Sequence, residues 1–151
     1  MYAATAVLEA ALEPTWDGRP VWFHGDIAVG NLLVRDGRLA SVIDFGTCGI
    51  GDPACDLVIA WTMLTGRSRA VFRDRVGADD GMWARARGWA VWKALILLAD
   101  TLDQAEAADQ QRVIAEILVD AGHGTTDPVA SVPTDREDAV RADRDRTRGG
   151  A

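Results

Sequence analysis

Three side chains able to hold a cation or take a proton stand close together in this sequence: Asp26, Asn31 and Asp44. Asp26 and Asn31 belong to the run His24-Gly25-Asp26-Ile27-Ala28-Val29-Gly30-Asn31, and Asp44 to Ile43-Asp44-Phe45-Gly46. An amide oxygen and a carboxylate are hard donors. Magnesium takes few protein ligands and completes its shell with water and phosphate oxygens, so Asn31 and Asp44 suit it as metal ligands. Asp26, on the loop entering the same place, is then a carboxylate available to orient an acceptor hydroxyl and take its proton. Phosphoryl transfer needs such parts and little covalent help from the protein. A nearby metal and backbone donors would keep Asp26 ionised near neutral pH.

These side chains must be brought together by the elements around them. Val21-Trp22-Phe23 reads as a short apolar strand. Two apolar runs, 31–35 and 38–43, flank Asp36-Gly37, a strong hairpin signal. With Asp36 and Gly37 as the two turn residues, Asn31 pairs with Val42, and Asp44 shares the face of Val42 because side chains alternate along a strand. Asn31 and Asp44 are then diagonal neighbours, about 7–8 Å apart at Cα. The rest reads as helical. A helix over 3–12 stops before Pro14. Others are expected over 53–65, ended by Gly66, and over 68–76, ended by Gly77. A long one starts at Asp79 or Asp80 and runs to about Leu102. The last covers 104–121, with Val113, Ile114, Ile117 and Leu118 at helical spacing and Gly122 as its stop. From His123 onward the sequence turns to Asp, Arg, Thr, Pro and Gly, the composition of a disordered tail.

The chain has 151 residues, 48% of them hydrophobic, enough for one domain with a core. Its formal net charge is -7, which argues against a nucleic-acid partner and would suit a cationic substrate. Cys48 and Cys55 match no zinc-site spacing and read as small buried residues in a reducing compartment. No apolar run reaches the ~18 residues that would span a membrane. The first residues lack a basic segment and include Glu9 and Glu13, unlike a signal peptide, so a cytoplasmic location is expected. Trp83, Trp89 and Trp92 read as core or interface. Arg67, Arg69, Arg73 and Arg75 read as a solvated helical face. Asp79, Asp80, Asp100, Asp103 and Glu106 read as caps and solvating charges that could also face a cationic substrate.

HGD-x4-N followed by IDFG, then Gly51-Asp52-Pro53 and Asp56 opening a helix, resembles the aminoglycoside phosphotransferase family. The likeness runs from about Trp16 to Trp61 and more loosely to about residue 120. That family shares a kinase-like fold with choline and homoserine kinases. The resemblance implies an α+β, mostly helical fold: a kinase-like C-terminal lobe over 1–122, with a small β-hairpin carrying the catalytic and metal residues, and a separate tail over 123–151. It implies ATP or GTP as phosphoryl donor, Mg2+, and a small-molecule acceptor such as an aminoglycoside or similar amine-bearing compound. Asp26 becomes the catalytic aspartate, Asn31 and Asp44 the magnesium ligands, His24 a buttress of the loop, and Asp56 its brace from the following helix. Many members carry His-Pro where this chain has Ala28-Val29, a departure that leaves the Asp26-to-Asn31 spacing intact.

Members of the family also carry an N-terminal lobe, with a loop over the phosphates and a strand lysine that grips them. Few residues precede His24, and the single lysine, Lys93, falls in a predicted helix. The expectation is a lobe whose nucleotide-clamping partner is missing or supplied by another chain. Two rival readings follow. One is a catalytically inactive binding fragment. The other is a metal-dependent phosphate hydrolase, which would use more carboxylates than this loop supplies.

Overall fold

A computed structural model describes residues 2–123; the expected tail, His123 apart, lies outside the described residues. The described part is mostly helical with two small antiparallel sheets, an α+β arrangement. Its order is α1 (Tyr2–Leu12), β1 (Val21–Phe23), β2 (Leu32–Arg35), β3 (Arg38–Val42), β4 (Gly49–Gly51), α2 (Ile59–Thr62), α3 (Gly66–Val76), α4 (Asp80–Asp100) and α5 (Gln104–Asp120).

The core sits among α1, α4, α5 and the segment before α2. Trp61, Trp83, Val91, Val113 and Ile117 are its largest fully buried side chains. Trp61 and Trp83 pack with ring centroids 4.7 Å apart, and the Trp83 indole N–H donates to Asp120 Oδ2 at 2.9 Å. Small residues let α1 cross α4 closely. A Cβ added at Gly88 would lie 2.4 Å from the Cβ of Ala11, so no larger residue fits there without moving a helix. Asp79 caps α4 through the Met82 N–H at 2.7 Å, and Asp103 caps α5 through the N–H groups of Ala105 and Glu106.

Several boundaries differ from the sequence expectation. Helix is interrupted over 53–65: Pro53–Val58 winds as a 3-10 helix before α2 begins, a tighter winding in which Asp56 turns back toward residues 24–25. Gly66 opens α3 instead of ending a helix, because Thr65 and Ser68 form a reciprocal capping box that starts one. The strand β4 was not foreseen; it pairs antiparallel with β1, Trp22 opposite Ile50. Arg69 is buried, not solvated: it donates to the carbonyls of Ala60 (2.7 Å) and Leu64 (3.0 Å) and pairs with Glu116. Arg73 pairs with Asp80 and lies over the Trp83 ring. Cys48 is exposed. Trp83 is core, whereas Trp89 and Trp92 stack edge-to-face on each other, each about half exposed.

Candidate active site

The expected register between β2 and β3 holds at the turn and slips beyond it. Asp36 and Gly37 both take positive φ, 52° and 71°, the geometry of a two-residue hairpin turn that matches strand twist. Arg35 pairs with Arg38 and Val34 with Leu39, but Leu33 pairs with Ser41 and Leu32 with Val42. Ala40 is thus an extra residue, a β-bulge. The slip removes Asn31 from the pairing with Val42 and sets it opposite Ile43, whose N–H donates to the Asn31 carbonyl at 2.9 Å. Asn31 itself ends a 3-10 turn, Val29–Asn31.

That turn brings the amide of Asn31 onto Asp26. Its Nδ2 donates to the Asp26 carbonyl at 2.9 Å and to Asp26 Oδ2 at 3.2 Å. The loop holding Asp26 is tied at every residue before it. Asp56 accepts the N–H groups of His24 and Gly25, one on each carboxylate oxygen and both at 2.7 Å. Thr47 Oγ1 donates to the His24 carbonyl at 3.1 Å. The buried His24 ring accepts the Asp26 N–H on Nδ1 at 3.2 Å, so its proton sits on Nε2 and is donated to the Ile43 carbonyl at 2.9 Å. Gly25 has φ +84°, and a Cβ there would meet the Thr47 carbonyl oxygen at 2.4 Å; only glycine fits this close approach.

The peptide of Ile43 is therefore a clasp. Its N–H binds Asn31 and its C=O binds His24, and Asp44 is the next residue in the chain. Asp44 takes a left-handed conformation, φ 64° and ψ 64°, a conformation that costs a non-glycine residue energy and clusters at functional sites. Its carboxylate is exposed and has no hydrogen bond or ion pair among the described residues. The neighbouring aspartates differ: Asp26 is held by Asn31 and Lys93, Asp52 by Arg85, and Asp56 by two backbone N–H groups. No group of three or more His, Cys, Asp or Glu side chains converges among the described residues, so a metal here would rest on a sparse donor set.

Read from the sequence, Lys93 falls in a helix and has no part in the site. It reaches from α4 to Asp26 Oδ1 and forms an ion pair with it. Hydrogen-bonded in this way, the Lys93 ammonium holds the Asp26 carboxyl below its usual range against the opposing effect of burial, with the Asn31 amide helping. Asp26 is accordingly ionised at neutral pH. The signal was present: Lys93 is a lone charge within the apolar run from Ala90 to Ala99, where an ammonium calls for a partner. Cys55, by contrast, is pushed up to about 11 by burial and then by the Asp56 carboxylate, so it stays a thiol.

A cavity of about 190 Å3 opens under the loop that follows Asp26, bordered by Ile27, Thr62, Lys93, Leu97, Gln110 and Val113 among others; Asp26 does not line it, and its ion-pair partner Lys93 does. Leu97 and Gln110 also border an outer groove that carries Asp100, Asp103 and Glu106. Of the five acids singled out in the sequence, Asp79 and Asp103 are helix caps, Asp80 pairs with Arg73, and Glu106 accepts from Thr101. Asp100 has no partner among the described residues.

The fold and the site define a class: a mainly helical protein that displays an aspartate–asparagine loop at the root of a β-hairpin. The family profile of the phosphotransferase enzymes matches residues 2–95, and the chain belongs to that family. A curated relative, an aminoglycoside 3'-phosphotransferase of Escherichia coli, is 42% identical over 45 residues. That match covers 30% of this chain and 17% of the relative, so the chain spans only part of a protein of that kind. No solved structure matches. Among the described residues no helix is long and apolar enough to cross a membrane.

Proposed function

We propose that this chain is the kinase-like C-terminal lobe of a small-molecule phosphotransferase, moving the γ-phosphoryl group of ATP or GTP to a hydroxyl of an aminoglycoside or similar amine-bearing compound. The observation that carries the reading is the convergence at one mouth of the hairpin. Asp26 is hydrogen-bonded to Asn31, and Asp44 follows directly on the peptide that clasps Asn31 and His24.

In this reading Asp26 accepts the proton of the acceptor hydroxyl. It is ionised, its loop is tied down by Asp56, Thr47 and His24, and its orientation is set by Asn31 and Lys93. Positioning of that kind supplies much of the rate in phosphoryl transfer. Asp44 and Asn31 would hold Mg2+. The donor set fits the ion: two hard oxygen donors, one of them an exposed, unpartnered carboxylate in a strained backbone, and magnesium needs few protein ligands. When bound, the ion neutralises phosphate charge. His24 and Asp56 act through the backbone and do not touch substrate. The acceptor would lie in the cavity that Lys93 lines, with its amines toward the groove that carries Asp100. A nucleotide-clamping lobe, in the same protein or in another chain, completes the proposal.

The test is metal-dependent nucleotide binding. Mn2+, which accepts the same oxygen ligands, is added with ATP or GTP to the 15N-labelled chain. Amide signals of residues 30–32 and 44–46 should broaden ahead of those of α5, and Asp44→Ala should abolish the effect. Broadening that survives Asp44→Ala, or that is absent in the parent, contradicts the assignment.

A further inference from the structure

Lys93 is the single lysine of the chain, and its place gives it a second task. Its Nζ donates to Asp26 Oδ1, while Asn31 Nδ2 donates to Oδ2. Both oxygens of the Asp26 carboxylate thus already carry a donor. Lys93 also lines the cavity that opens under the loop after Asp26, together with Ile27, Thr62, Ala94, Leu97 and Val113. The Thr62 hydroxyl oxygen is buried and has no hydrogen-bond partner among the described residues. An ammonium has three N–H donors and no acceptor. One donor goes to Asp26, which leaves the others for a molecule in the cavity.

We propose that Lys93 is a specificity-determining residue of the acceptor site: it admits an oxygen, whether hydroxyl, ether or carboxylate, next to the reacting hydroxyl, and it excludes an amine there. This rests on reading the cavity that Lys93 lines as the acceptor site. The physical reason is the donor balance at that end. A protonated amine brings only donors, so it can accept nothing from the free Lys93 N–H groups, and it meets a like charge in a half-enclosed site where screening is weak. An oxygen meets free N–H donors. An amine-bearing acceptor must then carry its amines away from the Lys93 ammonium.

The experiment uses the full chain without nucleotide or metal. Lysine labelled with 13C at Cε gives one side-chain signal, because there is one lysine. The probes are trans-cyclohexane-1,2-diol, trans-2-hydroxycyclohexanecarboxylate and trans-2-aminocyclohexanol, alike in size and different in the group next to one hydroxyl. The diol and the hydroxy acid should shift the Lys93 signal with a Kd roughly tenfold below that of the amino alcohol, as like-charge repulsion would impose. Lys93→Met keeps the long stem and vacates Asp26 Oδ1, so the preference should reverse toward the amino alcohol, read from the methyl signals of Ala94 and Val113. Lys93→Arg should keep the preference for oxygen. Three results overturn the proposal: an amino alcohol that binds the parent as tightly as the diol, a ratio unchanged in Lys93→Met, or no response of the Lys93 signal to the diol. The phosphoryl-transfer reading fails separately, through an absent Mn2+ effect at residues 30–32 and 44–46.

Discussion

The helical half of the molecule and the half that carries the candidate site are stabilised by different means. Around Trp61, Trp83, Val91, Val113 and Ile117 the side chains are buried and apolar. The hairpin β2–β3 buries none of its residues: its strands are exposed but for Leu32 and Val42, which are half-buried. What fixes the site is a short set of polar bonds from Asp56, His24, Thr47, Asn31 and Lys93. The helices supply stability through burial, which is non-directional. The loop needs angstrom-level geometry, which directional hydrogen bonds provide. A substitution in one half should therefore lower stability throughout, and a substitution in the other should loosen one loop.

The largest effect is expected in the core. Trp83→Ala removes a ring stacked on Trp61 and a hydrogen bond to Asp120, and should cost about 3–5 kcal/mol. Thermal melting measures it, and amide protection should fall across α4 and α5 together. Next comes Asp56→Ala. Two loop N–H groups lose a charged acceptor, worth roughly 1.5–3 kcal/mol. Hydrogen exchange should show the amides of His24 and Gly25 losing far more protection than those of Val91 and Val113. A uniform loss would break the comparison, and an unchanged melting temperature would make Asp56 a mere helix-start residue. The smallest effect belongs to the hairpin: Leu39→Ser, at a side chain 60% exposed, should stay within about 0.5 kcal/mol.

The same contrast decides what could be read from the sequence. Elements that announce themselves by local chemistry were legible: β1, the Asp36-Gly37 turn, the Asp79 cap of α4, and α5 from its apolar spacing. Family membership was legible from HGD-x4-N and IDFG. What depended on contacts distant in sequence was not. The bulge at Ala40 answers to the clasp between Ile43, Asn31 and His24, and no turn rule reveals it. The strand β4 is three residues long with two glycines and forms only because β1 lies beside it. Arg69 reads as a surface charge until Glu116 is placed opposite. Lys93 is 67 residues from Asp26, so its partner could be inferred in kind and not in name.

The central claim is that Asp26 is the group that accepts the acceptor's proton in phosphoryl transfer. The most direct measurement joins residues 1–151 behind the nucleotide-clamping lobe of a family member and follows transfer of label from [γ-32P]ATP or GTP to a panel of aminoglycosides and simpler amino alcohols. The account predicts acceptor-dependent labelling that Asp26→Ala lowers by about 10²–10⁴-fold, the range for a lost general base, with folding and Mn2+-nucleotide binding retained. Labelling that persists in Asp26→Ala, or release of inorganic phosphate without an acceptor, would contradict it.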